Sequence, residues 1–245
     1  MGGARRGDGG GEQSRPGRGA GGAAAPAPPI VVRPCLVLRR HQALAIVRIY
    51  HEAFPPAQRI GDSALLGLVP SGTEEFGGWT FHLAEHPHET IGFAAGLHVS
   101  HLRLAYVPYL AVAGTWRGHG AGTALLESVI KHWVEGSSPP PHWLFLEVER
   151  PELAAGPADR ALRERRIRFY ARRGFQRLEA DFQAPPLGPE LPVVPYWVLM
   201  LPLIEPDLRP ATIRTALADL YGEVYGLAED HPLVANCLKT FRALP

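Results

Sequence analysis

Between residues 30 and 245 the hydrophobic pattern changes period several times, and each change predicts an element. Residues 30–40, IVVRPCLVLRR, read as a first strand, and residues 42–53 as a helix whose apolar contacts come from Leu44, Ile46, Val47 and Ile49. A second helix is predicted over residues 57–68, opening after Pro55 and Pro56 and stopping at Pro70, Ser71 and Gly72. Residues 79–84 and 90–99 read as the arms of a hairpin, and a long strand follows over residues 102–113. Pro108 is the anomaly in that strand, because proline cannot donate to a ladder and is tolerated only at an edge or a bulge. This succession of strand, helices, hairpin and strand predicts an α+β fold, a mixed sheet covered by helices.

Residues 109–130, YLAVAGTWRGHGAGTALLESVI, carry the strongest local signal. An apolar run ends at Gly114 and Thr115, and Gly118, Gly120 and Gly122 stand at alternate positions. Helical spacing then begins, with Ala121, Leu125, Val129 and Trp133 on one stripe and Gly136 as the stop. A helix that opens from such a turn presents its free first-turn amides and the positive end of its dipole, an arrangement that attracts phosphate. Arg117 adds a fixed charge at the rim. A tight turn that needs positive φ also selects glycine, so the loop taken alone has a purely structural explanation as well.

Arg117, Gly120 and Gly122 match an Arg/Gln-x-x-Gly-x-Gly/Ala signature, and residues 165–175, RRIRFYARRGF, place an aromatic-Tyr pair at the end of a helix before Gly-Phe. In these two motifs, with the strand WLFLEVE at residues 143–149 between them, the chain resembles the GNAT superfamily of N-acetyltransferases over roughly residues 31–204. The resemblance implies an α/β/α arrangement: a mixed, mostly antiparallel twisted sheet with flanking helices and a central strand pair that splays at a bulge, as Pro108 suggests. It implies acetyl-CoA as co-substrate, held by Leu110, Ala111, Val112, Arg117, Gly118, His119, Gly120, Ala121, Gly122 and Thr123. Leu110 and Val112 would offer main-chain groups to the pantetheine arm, and the amides of residues 118–123 would hold the pyrophosphate. Tyr170 is implied as the acid for the leaving thiolate, although a tyrosine beside Phe169 on a helix is also ordinary core. The asparagine often found earlier in this helix motif has no clear counterpart among residues 161–166.

Alternation along residues 143–149 puts Trp143, Phe145, Glu147 and Glu149 on one face. Either glutamate is a candidate base for an ammonium acceptor, and either could equally lie solvated at the strand end or pair with an arginine. The last helix of the motif region is expected to open with Asp159 as N-cap and to end at Arg173 and Gly174. Its arginines read mostly as a solvated face, with one or two able to reach a phosphate of coenzyme A. Residues 175–179 and 193–201 would complete the sheet, and the proline-rich link between them would bring Tyr196 and Trp197, with Tyr109, to the acceptor pocket.

Composition narrows the picture further. Residues 1–29 are Gly, Ala, Pro and Arg with almost no large apolar side chain, and are expected to form a disordered tail. A hydrophobic fraction of 46% allows a proper core for residues 30–204, and a net charge of +1 gives no reason to expect nucleic acid. No apolar run suggests a membrane span or signal peptide, and Cys35 and Cys237 read as buried thiols in a reducing, cytoplasmic setting. His86, His88 and Glu89 lack the spacing of a metal site, so no metal is expected. Residues 205–245 form an appendage of two amphipathic helices. One stripe is Ile213, Leu217, Leu220 and Val224, and the other Leu233, Val234, Cys237, Leu238 and Phe241. These faces must be covered by the domain itself, by a second copy in a homodimer, or by a partner.

The expected activity is transfer of an acetyl group from acetyl-CoA to a primary amine, on a small molecule or on a protein amino group. A non-catalytic acyl-CoA sensor is the alternative. A dinucleotide-binding enzyme fits less well, because the glycines run G-x-G-x-G rather than G-x-G-x-x-G.

Overall fold

The computed structural model describes residues 1–3, 29–70, 78–87 and 89–242. Most of the expected N-terminal tail, the stop at Ser71 and Gly72, and His88 lie outside the described residues. Eight strands form one sheet in the order β1-β2-β3-β4-β5-β8-β6, with β7 also paired to β8. They are β1 (Val31–Pro34), β2 (Trp79–His86), β3 (Glu89–Val99), β4 (Leu104–Val112), β5 (Trp143–Glu149), β6 (Gln176–Arg177), β7 (Phe182–Ala184) and β8 (Val194–Pro202). Every pairing is antiparallel except β4 with β5.

Among the described residues six α-helices cover the sheet: α1 (Arg40–Ala53), α2 (Asp62–Leu66), α3 (Ala121–Gly136), α4 (Pro157–Ala171), α5 (Pro210–Tyr225) and α6 (Pro232–Thr240). On one face α3 and α4 bury Ala121, Leu125, Val129, Trp133 and Tyr170 against Ala105, Leu144, Leu146 and Val148. The other face is shared. Ile46, Ile49 and Tyr50 of α1 cover Phe81, Phe93, Tyr109 and Ala111, while Ile213, Leu217, Leu220 and Tyr221 of α5 cover Tyr106, Trp143, Phe145 and Val198. The C-terminal helices thus pack on the sheet of their own chain.

β4 reaches both halves of that shared face because its parity resets once. Tyr106 pairs with Leu97 and Tyr109 with Ala95, so Val107 and Pro108 together oppose Gly96 in a bulge. Leu104 and Tyr106 therefore face α5, and Tyr109 and Ala111 face α1, on the same side of the sheet. Proline costs no ladder bond at such a position.

Several local expectations need correction. The first strand is only four residues, since Pro34 ends regular donation, although Cys35 N–H still reaches Phe81 O at 2.7 Å. Residues 57–68 do not form one helix: a 3₁₀ turn over Pro56–Gln58 is followed by the five-residue α2, separated by extended Arg59. The N-cap of α4 is Gly156 with Pro157 in the first turn, and Asp159 instead accepts from Ala155 N–H at 3.0 Å. The strand expected over residues 175–179 shrinks to two residues. Among the described residues no helix is long and apolar enough to cross a membrane, and no group of three or more His, Cys, Asp and Glu side chains could hold a metal ion.

Candidate active site

β4 and β5 pair only from Leu104 with Trp143 to Tyr106 with Phe145. Beyond that point β4 continues beside β3 to Val112 and β5 beside β8 to Glu149, so a seam opens between the two central strands. Ala113 N–H donates to Ile91 O at 2.8 Å on the β3 side. Strand alternation then turns the main-chain groups of Leu110 and Val112 toward the seam.

A cleft of about 490 Å³ lies at the α3 and α4 end of this seam, lined by Gly118, Gly120, Gly122 and Thr123 and by Arg117, Arg165, Arg166 and Arg172. The first bond into α3 is Ala124 N–H to Gly120 O at 3.0 Å, so the amides of residues 121–123 have no partner within the helix. Gly118 and Gly120 have φ of +87° and +90°, and a Cβ at either would meet no atom within 4 Å. Backbone conformation, rather than crowding, is what calls for glycine there. Arg117 is anchored by Nε–H to Val112 O at 3.1 Å and paired with Glu52 at 3.3 Å. Amides, helix dipole and four arginines give a setting suited to a diphosphate.

Across the seam lies a second cavity, of about 260 Å³, between α1 and α5. Ala53, Leu110, Arg166 and Tyr170 line both spaces. Tyr170 is 7% exposed, held edge-on by Phe169 and Phe175 with ring centroids 5.0 and 5.3 Å away. Burial raises its phenol pKa, with Arg166 and Arg173 pulling the other way, so the hydroxyl keeps its proton at neutral pH.

The second cavity is walled by Phe54, Tyr106, Tyr109, Tyr196 and Tyr225, and holds both glutamates of β5. Their environments differ. Glu149 is ion-paired with Arg166 and accepts from Gln58 Nε2 at 3.2 Å. Among the described residues no cation is paired with Glu147: the Tyr225 hydroxyl donates to its two oxygens at 2.9 and 3.0 Å. Burial pushes the Glu147 carboxyl up to about 7, partly offset by the hydrogen bonds from Tyr225 and Tyr106.

Of the residues singled out from the sequence, Tyr109 and Tyr196 line the second cavity with Glu147 and Glu149, and Leu110 and Tyr170 stand where the two spaces join. Ala111, Val112, Arg117, Gly118, Gly120, Gly122 and Thr123 line the first. The side chains of His119 and Ala121 line neither; the His119 ring centroid lies 5.8 Å from that of Trp116, and Ala121, the first residue of α3, is buried in the core of that face. Trp197 does not line the second cavity. One step along β8 from Tyr196, it faces the opposite side of the sheet, where the Arg177 guanidinium stacks on its ring at 3.8 Å. Residues not foreseen include Arg166, one helical turn from Tyr170, Gln58 in the 3₁₀ turn, Phe54 and Tyr106 in the cavity wall, and Tyr225 in the C-terminal region. Only Arg166 carried a signal, its i, i+4 spacing to Tyr170.

Residues 77–177, which span the glycine loop, β5 and α4, match the family described as an acetyltransferase (GNAT) domain. No curated protein matches the chain. Among solved structures, a protein described as a GNAT-family acetyltransferase from Bacteroides thetaiotaomicron has a TM-score of 0.60 at 22% identity, over 81% of this chain and 99% of its own. Arabidopsis thaliana NAA60 in complex with a bisubstrate analogue has a TM-score of 0.51 at 18% identity, over 72% of this chain and 99% of its own. A phosphinothricin acetyltransferase from Sinorhizobium meliloti, in complex with AcCoA, has a TM-score of 0.51 at 14% identity, over 74% and 91%. These likenesses show a shared fold. The domain match over the motif-bearing residues 77–177 supports membership of the GNAT superfamily of acetyltransferases.

Proposed function

We propose that the chain is an N-acetyltransferase that moves an acetyl group from acetyl-CoA directly to a primary amine. The observation that carries this reading is the meeting of two spaces at Tyr170: an arginine- and amide-lined cleft on one side of the seam, and on the other a cavity holding Glu147 among tyrosine hydroxyls, where burial pushes its carboxyl up to about 7. Bound acetyl-CoA supplies a thioester carbonyl open to amine attack and a thiol leaving group. The amides of the loop and first turn of α3, with the surrounding arginines, hold the diphosphate, and the main chain of Leu110 and Val112 pairs with the pantetheine arm.

Glu147 takes the proton that an ammonium acceptor must lose before its nitrogen can attack. A carboxyl with a pKa near 7 is well matched to that task, because it is substantially ionised at neutral pH and still basic enough to accept the proton. Main-chain N–H groups along the seam polarise the carbonyl as the C–N bond forms, Tyr170 gives its proton to the departing sulfur as the C–S bond breaks, and the second proton shed by the acylated nitrogen restores the phenol. Holding both substrates across the seam supplies much of the acceleration. The acceptor is a small-molecule amine or a protein amino group, and the chain acts without a metal.

The test is thiol release across a panel of small amines and peptide amino termini, with wild type, Glu147→Gln and Tyr170→Phe. Amine-dependent release that falls in both variants supports the reading. Tight acetyl-CoA binding with no release for any amine would replace it with an acyl-CoA sensor.

A further inference from the structure

The carboxylate of the acceptor cavity is held by a helix that lies outside the matched domain. Tyr225 is the last residue of α5, and both it and Val224 line that cavity. Its hydroxyl bonds both Glu147 oxygens and lies 3.4 Å from the Tyr106 hydroxyl, so α5 closes the cavity floor with a donor aimed at the carboxylate. The rest of α5 is fixed: Ile213, Leu217, Leu220 and Tyr221 are buried against the sheet, and the Tyr221 hydroxyl donates to Gln183 O at 3.1 Å and accepts from Gln183 N–H at 3.0 Å. The helix end is stopped by Gly226, whose φ of +65° makes it an αL cap, so Tyr225 does not depend on a fraying terminus.

We propose that Tyr225 is a positioning residue, its hydroxyl fixing the orientation and the proton affinity of Glu147, so that the C-terminal helix is part of the acceptor half of the site. The consequence for catalysis rests on Glu147 acting as the base. The titratable groups facing Glu147 are Tyr106 and Tyr109 from β4, Tyr196 from β8, and Tyr221 and Tyr225 from α5. The nearby cation, Arg166, is engaged by Glu149. Among the described residues, Glu149 and Arg166 being paired with each other, the remaining groups that face Glu147 are phenols that stay neutral near pH 7, which leaves hydrogen bonding as the means by which the site holds down the carboxyl pKa. Tyr225 donates to the ionised form and lowers that pKa; without the hydroxyl the carboxyl titrates higher.

The test is Tyr225→Phe in the full chain, which keeps the ring, with two readouts. One is the Glu147 carboxyl titration followed by infrared or carbon NMR, assigned with Glu147→Gln. The other is the acid limb of kcat/KM for amine acetylation. The carboxyl is expected to titrate about one pH unit higher than in wild type, and the acid limb to move by the same amount. Tyr221→Phe, in the same helix but bonded to Gln183, is expected to leave both unmoved. Should Tyr225→Phe fail to fold, Tyr106→Phe probes the same hydroxyl cluster from β4 and is expected to shift the carboxyl in the same direction. An unchanged carboxyl titration in a folded Tyr225→Phe protein overturns the proposal. A carboxyl that moves while the acid limb stays fixed upholds the hold of Tyr225 on Glu147 and overturns the general-base reading instead.

Discussion

Glu147 and Glu149 are two residues apart on one strand, yet the fold gives them opposite chemistry. Glu149 has a guanidinium against it and Glu147 has phenols, and burial pushes the Glu147 carboxyl from its ordinary 4.5 up to about 7. Kinetics and stability should both register this. Glu147→Gln is expected to lower kcat/KM for amine acetylation at pH 8 by about 100-fold or more, and to abolish an acid limb centred near 7 in the wild-type pH profile. Because the folded-state pKa lies above the unfolded one, the neutral carboxyl is the form that folding favours. That contribution is complete below about 4.5 and is lost as the pH rises through about 7. Denaturant unfolding of wild type and Glu147→Gln should therefore diverge with pH, the variant gaining about 3 kcal/mol relative to wild type between pH 4 and pH 8. Tyr170→Phe keeps the buried ring and is expected to lower kcat with little change in KM for the amine, which steady-state rates at saturating acetyl-CoA would show. The shared face of the two glutamates was legible from alternation. Which of them is free of a cation was not, because Arg166 and Gln58 come to Glu149 from elements distant in sequence.

At the scale of elements, the glycine turn and α3 were the most legible part of the chain, since a positive-φ turn and a 3.6-residue stripe are both written locally. Gly120→Ala tests whether that turn matters as read. No atom stands within 4 Å of the new methyl, so the cost is that of a left-handed alanine at φ +90°, roughly 1–2 kcal/mol in denaturant unfolding. Calorimetry should show weaker acetyl-CoA binding in the same variant, as the first-turn amides shift; full affinity would contradict the assignment of the loop. The bulge at Pro108 was legible because proline forbids a ladder bond, and the structure gives it a second consequence, the parity reset that puts Tyr106 and Tyr109 on one face. The second helix was misread. Its apolar residues face the α1 side of the core, but extended Arg59 interrupts them, and tertiary packing decided a segment too short for propensity to fix. The proline-rich link suggested that Tyr196 and Trp197 both reach one pocket, whereas in a strand adjacent residues point apart.

For the molecule as a whole, the C-terminal helices matter because α5 brings Val224 and Tyr225 to the second cavity. Their stripes were legible as amphipathic, but nothing local says which surface an amphipathic helix covers. Here α5 and α6 complete the core over β5, β7 and β8, with Leu217 and Leu220 fully buried. Leu217→Ala is expected to destabilise the chain by about 2–5 kcal/mol in chemical denaturation, the cost of a core cavity, whereas a merely attached helix would lose far less. The central claim is that the parting of β4 from β5 lets an acyl donor, gripped at the α3 loop, reach an amine lodged between α1 and α5. The most direct measurement is a crystal structure with coenzyme A bound. The account predicts the diphosphate on the amides of residues 118–123, the pantetheine arm along Leu110 and Val112, and the sulfur beside the Tyr170 hydroxyl; coenzyme A bound elsewhere, with the seam closed, would contradict it.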